Sequence, residues 1–232
     1  QSAAHFNLGT KDANLIVALE GSGTVILNPA FIDEFSGSTL ATTKWTSAIF
    51  NTGGTTTVSG GQVRVNGTHI YSNSSFGPGT SIEFVATFTV APFQNSGFSS
   101  DQPFNNSPWV VIGQGDVSDG NLYARSSDNS SVNLGSNLLG TSHRYRISWN
   151  TPANTFSFYV DGNLITTTAI SIAVSTPMFI QVSDVIATGG TLSVDWLRAS
   201  PYPASGIFTS RVFNHGISAN WGIVNWIAST PT

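Results

Sequence analysis

Twelve acidic side chains, four histidines and no cysteine make up the reactive inventory of this chain apart from its hydroxyls. Hydrolysis by paired carboxyls needs two acids held at a fixed short separation. Glu20, Glu34 and Glu83 are the only glutamates, and none has a second acid two residues on. Asp116 and Asp119, three apart in a glycine-rich loop, offer a carboxylate pair, although loop aspartates more often form turns and caps. The stretch Asp116 to Asn121 is rich in oxygen ligands and has the flavour of a calcium loop, but it lacks the downstream glutamate of an EF-hand. His5, His69, His143 and His215 show no H-x-H or H-x-x-x-H spacing that would hold a transition metal. The missing cysteines remove thiolate zinc sites, thiol catalysis and disulfides together. There is no G-x-S-x-G elbow, and serine is too abundant here to single out a nucleophile.

Sugar recognition needs an exposed aromatic face with amide or carboxylate partners for the hydroxyls. Trp109, Tyr123 and Phe98, with Asn121 and Gln114 and with Asp101 near in sequence, are the residues that would supply one. Against this stands the ordinary role of aromatics in a β-rich chain, which is core packing, and Trp45, Trp149 and Trp196 are assigned to it.

The elements that must position these residues are strands. Apolar and polar residues alternate over short runs separated by turn residues, and no stretch of ten carries a 3.6-residue stripe. In Thr80 to Val90 the residues Ile82, Phe84, Ala86, Phe88 and Val90 share one face. Tyr145, Ile147 and Trp149 do the same in His143 to Trp149, and Phe156, Phe158 and Val160 extend that face. Asp161-Gly162 predicts a two-residue hairpin, because both turn positions need positive φ. Further runs at 45–50, 62–66, 108–114, 121–125, 178–183 and 191–199 raise the strand count above that of an immunoglobulin domain, which predicts an all-β, two-sheet antiparallel jelly-roll sandwich.

Charged residues are 9% of the chain, against roughly 25% in an average domain, and serine plus threonine number 58 of 232. Eight basic residues without a cluster give no means of neutralising phosphates, so neither nucleic acid nor an anionic membrane surface is an expected partner. No apolar run reaches the ~18 residues of a membrane helix, so membrane insertion is not expected. The cysteine-free, hydroxyl-rich composition predicts an extracellular location, secreted or at a cell surface.

The ends read as β arms, residues 1–29 and 203–232, around a compact domain at 30–202. Residues 14–19 and 24–27 form a hairpin-like pair, and 207–213 with 221–227 form another. If such strands add to the sheet of a neighbouring copy, the chain becomes a polymer. Leu15, Ile16, Val17, Val25, Ile26, Phe208, Val212, Phe213, Trp221 and Trp226 would then be assembly residues.

Four segments, Asp33–Trp45, His143–Trp149, Phe156–Ile165 and Ser193–Arg198, resemble in order and spacing the concanavalin A-like jelly rolls of bacterial secreted proteins, a superfamily that includes family 16 glycoside hydrolases and laminin-G-like modules. The resemblance covers about three-quarters of the chain. It implies the sandwich fold, and an aspartate of the last domain strand that in such proteins joins backbone carbonyls to bind calcium. Asp195 and Asp33 are the calcium ligands expected on that ground. The catalytic E-x-D-x-E pattern of the hydrolases is absent, and Pro108–Gly115 stands where it would fall. The chain is therefore expected not to be an enzyme but a non-catalytic extracellular structural subunit, self-assembling through its arms into a filament or surface layer. The alternative is a carbohydrate-binding, lectin-like module with a polysaccharide partner, and a degenerate family 16 hydrolase stands third.

Overall fold

The computed structural model of the protein describes residues 2–21, 23–101, 106–116, 119–153, 155–165, 170–171 and 177–211. These fall into two compact units, one spanning Ala30–Pro201 and the other uniting Gln1–Pro29 with Tyr202–Thr232. The second unit begins with a one-turn helix, α1 (Ala3–Phe6), followed by β1 (Thr10–Lys11), β2 (Leu15–Ala18) and β3 (Thr24–Leu27). β2 and β3 form the expected antiparallel hairpin, in which Leu15 lies opposite Leu27.

The sandwich contains β4 (Phe31–Asp33), β5 (Trp45–Ile49), β6 (Thr55–Ser59), β7 (Gln62–Asn66), β8 (Thr68–Phe76), β9 (Ser81–Thr87), β10 (Gln94–Ser99) and β11 (Trp109–Gly113). It continues with β12 (Leu122–Ser126), β13 (Ser131–Gly135), β14 (His143–Asn150), β15 (Thr155–Val160), β16 (Asn163–Leu164), β17 (Ile170–Ser171), β18 (Met178–Asp184) and β19 (Leu192–Ala199). One sheet runs β13-β12-β11-β10-β18-β8-β5, and the other β16-β15-β14-β9-β19-β7-β6, with β17 beside β15 and β4 beside β19. Neighbouring strands are antiparallel throughout, giving the all-β jelly-roll sandwich that the alternation predicts. The hairpin at Asp161-Gly162 has φ of 50° and 80°, and it sets Val160 opposite Asn163.

Between the sheets the inward faces make one apolar core, with Ile82, Phe84, Tyr145, Ile147, Trp149, Phe156 and Phe158 from one sheet and Phe98, Val110, Ile112, Leu122, Ile180 and Val182 from the other. One expectation about this core needs correction and a second is refined. β9 ends at Thr87 and Val90 is exposed. The Thr89 N–H donates to Gln94 Oε1 and its carbonyl accepts from Gln114 Nε2, so side chains replace the sheet ladder there. Trp196 is buried as expected, but outside the cluster between the sheets, because a bulge between Val194 and Trp196 reverses the phase of β19 and turns Leu197 and Ala199 inward. The Arg144 and Arg198 guanidiniums lie 5.8 and 4.1 Å from the Trp196 ring centroid.

The last described strand, β20 (Phe208–Thr209), pairs with β1, setting Thr10 opposite Thr209 and Lys11 opposite Phe208. Asn14 Nδ2 donates to the Ser205 carbonyl at 2.9 Å, the Ile207 N–H to Asp12 Oδ2 at 2.9 Å, and the Phe6 and Phe208 rings meet edge to face at 6.1 Å. The two arms therefore pair with each other through β1 and β20, while β2 and β3 pair with one another. Leu15 is buried, and Ile16, Val17, Val25, Ile26 and Phe208 are half-buried. Val212, Phe213, Trp221 and Trp226 lie outside the described residues. Self-assembly into a filament is left without support.

At one end of the core a polar group is enclosed. Asp184 is fully buried, its Oδ2 accepting from Gln94 Nε2 at 2.9 Å and its Oδ1 from the Ile186 N–H at 3.2 Å. Burial outweighs these bonds and pushes its carboxyl up to about 6. A carboxyl raised in the folded state favours folding while protonated, and this contribution is lost as pH rises from about 4 through 6. Asp184→Asn is accordingly expected to gain melting temperature relative to the parent as pH goes from 4 to 7, by on the order of 5 °C. Scanning calorimetry of both proteins across that range checks it, and a constant difference would refute the assignment.

Candidate functional site

The seven-stranded sheet turns one face to the core and the other away from it. Because successive side chains alternate, burial of Val110 and Ile112 sends Trp109, Val111 and Gly113 to the open face, and burial of Leu122 and Ala124 sends Tyr123 and Arg125 there. The register sets Val111 opposite Arg125 and Gly113 opposite Tyr123. On this face lies a cavity of about 290 Å³ lined by Trp109, Tyr123 and Arg125, with Asp116 and Asp119 from the loop before β12 and Ser131 from β13.

Three of the polar side chains of the cavity are held in place. The Arg125 guanidinium donates to the Gln114 carbonyl at 2.8 Å and lies 5.7 Å from the Trp109 ring centroid. Burial lowers its pKa, and the charge of Asp116 acts in the opposite direction. The Tyr123 hydroxyl donates to Asp119 Oδ2, while the Asn121 N–H donates to Asp119 Oδ1 at 2.9 Å. The hydroxyl of Tyr123, followed by that N–H, holds the Asp119 carboxyl below the usual carboxylate range, and the same contact raises the Tyr123 phenol. Asp119 is thus an anion at neutral pH, fit to accept hydrogen bonds from ligand hydroxyls. A general acid would need the opposite shift.

Of the five residues expected to bind sugar, Trp109 and Tyr123 come together at this cavity. Asn121 braces Asp119 and does not line the cavity. Phe98 is a correction, since it is fully buried among Trp149 and Phe156, with ring centroids at 5.8 and 6.3 Å. Its parity in β10 matches that of the core, because its register partner Val110 also points inward. Gln114 is a second correction. It is buried, and its amide donates to the Thr89 carbonyl instead of facing a ligand. Arg125 was missed, although its spacing of two from Tyr123 places the two on one face of a strand.

The expected calcium ligands keep separate partners. Asp33 is buried and accepts from the Phe35 N–H and the Trp45 indole N–H, both at 2.9 Å, with the Lys44 ammonium 3.9 Å away. Asp195, at the bulge of β19, accepts from Gln62 Nε2 at 2.5 Å. Among the described residues no three His, Asp or Glu side chains gather as a metal set. None of their helices is long and apolar enough to cross a membrane.

The open face also carries a polar row across five strands. His69, Ser183, Asn95, Gly113 and Tyr123 are successive register partners in β8, β18, β10, β11 and β12. Gly113 is required there, because a Cβ would come within 2.2 Å of Asn95 Oδ1 and 2.3 Å of the Gln94 carbonyl oxygen. The His69 ring centroid lies 4.2 Å from that of Phe50 and 5.7 Å from that of Tyr71. Burial pulls its pKa down to about 4, against the opposing charge of Asp101, so the ring is neutral at pH 7.

No family model matches the chain, and no curated protein matches it. Solved structures do share its fold. A beta-glucanase of Bacillus licheniformis superposes with a TM-score of 0.54 at 17% identity, covering 75% of this chain and 99% of that one. The pseudo beta-1,3-glucanase of Mycobacterium tuberculosis, also described as an immunostimulatory antigen, gives 0.57 at 17% identity over 74% and 98%. A beta-1,3-glucanase of Mycobacterium marinum gives 0.54 at 16% identity over 75% and 99%. The sandwich thus has the jelly-roll fold of these structures. These likenesses overturn the expectation that the chain is not an enzyme, since they include glycoside hydrolases as well as a pseudo-glucanase.

Tyr123→Phe is expected to let the Asp119 carboxyl rise toward the ordinary range, because the hydrogen bond that lowers it most is lost. A carboxyl NMR titration of both proteins checks this, and an unmoved Asp119 would mean that the phenol does not hold it.

Proposed function

We propose that the chain binds β-glucan at the open face of its seven-stranded sheet, with Trp109 as the stacking platform. The observation that carries this reading is the cavity itself, in which one indole, one phenol, a guanidinium and two carboxylates converge on a space of about 290 Å³. An aromatic ring takes the C–H face of a sugar, while ionic and hydroxyl groups around it take the hydroxyls. The names of the structures that share the fold, glucanases for the most part, support the choice of polysaccharide. An exported location goes with this reading, as the hydroxyl-rich, cysteine-free composition suggests. Hydrolysis at this cavity would fall to Asp116 and Asp119, the two carboxylates that line it. Release of reducing ends from β-1,3-glucan that disappears in the Asp116→Asn, Asp119→Asn double variant would assign that activity to them.

Trp109→Ala is expected to weaken binding of soluble β-1,3-glucan about tenfold, equivalent to roughly 1.4 kcal/mol, while leaving the melting temperature within a few degrees. Calorimetric titration against β-1,3-glucan, mixed-linkage glucan and mucin O-glycans checks this. Equal affinity in parent and variant would sink the assignment of Trp109, and no binding to either glucan would sink the function.

A further inference from the structure

At the rim of the nine-stranded sheet a hydroxyl, an imidazole and a carboxylate stand in series. Thr141 Oγ1 lies 2.8 Å from His143 Nε2, and His143 Nδ1 lies 2.8 Å from Asp161 Oδ2. They meet where the chain enters β14 and where it turns after β15. The Gly140 N–H donates to the Phe88 carbonyl at 2.7 Å and His143 is the register partner of Ala86, so the chain is anchored on both sides of Thr141. Asp161 and Arg144 bind each other twice, the Asp161 N–H donating to the Arg144 carbonyl at 2.7 Å and the Arg144 N–H to Asp161 Oδ1 at 3.0 Å. Backbone contacts thus fix the positions from which the three side chains reach one another.

These contacts also set the direction of the protons. Partial burial works against ionisation of Asp161, but the Arg144 N–H and the His143 ring hold its carboxyl below the usual range. An anionic Asp161 can only accept, so the neutral ring carries its proton on Nδ1 and turns the Nε2 lone pair to the Thr141 hydroxyl. Nucleophile, base and orienting carboxylate in this order activate a hydroxyl for acyl transfer. Thr141 is exposed and the His143 side chain is 21% exposed, which opens the hydroxyl to a reactant while shielding the base. Gly140, at φ 77°, leaves open space beside Thr141, since even a Cβ there would meet no atom within 4 Å. A turn latch alone would not need the set. Asn-Gly makes the same turn, and Asp161 with Arg144 already closes it.

We propose that Thr141, His143 and Asp161 form a nucleophilic site that takes the acyl group of a small ester and passes it to water. Thr141 Oγ1 attacks the ester carbonyl carbon as its proton moves to His143 Nε2. The bond to the alcohol oxygen then breaks, and the alcohol leaves with that proton. Water attacks the acyl-threonine, giving a proton to Nε2, and Thr141 Oγ1 recovers it as the acid departs. Asp161 is a positioning residue that acts through His143. The site belongs to the other sheet from the cavity and does not depend on glucan binding.

The test uses p-nitrophenyl acetate as the ester and an alkyl fluorophosphonate as a probe that leaves a stable adduct on an activated hydroxyl. Peptide mass spectrometry is expected to find the adduct on Thr141 in the parent and to lose it in His143→Gln. Release of p-nitrophenolate is expected to fall about a hundredfold in Thr141→Ala and in His143→Gln, to persist in Thr141→Ser, and to stay at the parent rate in Ser142→Ala. Asp161→Asn keeps a turn-forming residue but has one oxygen for two donors. With that oxygen on the Arg144 N–H, its amide donates to His143 Nδ1 and moves the ring proton to Nε2. The ¹⁵N resonances of the His143 ring are expected to exchange character in this variant while release falls. A parent without an adduct on Thr141 overturns the proposal whatever the variants do. Parent-like release in Thr141→Ala, or an exchanged ring proton in Asp161→Asn with release unchanged, overturns it as well.

Discussion

A pleated strand gives alternate side chains to opposite faces, and this constraint ties the open face of the seven-stranded sheet to the core beneath it. Val110 and Ile112 are buried, so Trp109 and Gly113 have no choice of side. Leu122 and Ala124 do the same for Tyr123 and Arg125, Val182 for Ser183, and Ile70 for His69. The apolar residues that stabilise the sandwich thereby fix the geometry of the residues on its other side, those of the candidate site among them. A slip of one residue in any of these strands would send its polar side chains into the core. Site and stability are in this sense two faces of one register.

The few charges are divided unevenly between the sheets. On the outer face of the nine-stranded sheet Arg144 makes a two-pronged contact with Glu83, at 2.8 and 2.9 Å, and Arg198 reaches Glu34 at 3.2 Å. Guanidiniums also cover Trp196 and the ring of Tyr159. That face is internally satisfied. The other sheet has Arg125 beside its cavity and otherwise mostly amides, hydroxyls and aromatic rings on its outer face, with Tyr123 bonded to Asp119 and Gln181 to the Asp101 carbonyl.

Much of the fold is legible in the sequence because its longest strands alternate cleanly. Ile82, Phe84 and Ala86, or Tyr145, Ile147 and Trp149, announce both the strand and its buried side, and Asp161-Gly162 announces the turn between β15 and β16. The site is less legible. The run Trp109-Val110-Val111-Ile112 is apolar without a break, so its buried side cannot be told from pattern alone, and the side taken by Phe98 depends on it through the register. Trp196 is buried as its type suggests, but a bulge that leaves no mark in the composition of β19 keeps it out of the cluster between the sheets. His69, Ser183 and Asn95 are far apart in the chain and ordinary in type. Only the strand order β8-β18-β10, which the local sequence does not specify, makes them neighbours.

The pairing of β1 with β20 has a consequence for how the chain comes to be made. Thr10 and Thr209 are register partners, and the two connections leave the sandwich together, where the Ala30 N–H donates to the Pro201 carbonyl at 2.9 Å. The intervening sandwich is in effect one very long loop whose ends are brought together by its own folding. The entropic cost of closing a loop grows only with the logarithm of its length, but an unstructured loop must still meet it. Here β4 and β19 have already met that cost by pairing with each other, so the small β1–β20 ladder can form although it has little strength of its own. During synthesis the N-terminal segment must wait for its partner until the whole sandwich has emerged. The two-ended unit is therefore a late reporter of whether the sandwich has closed in register.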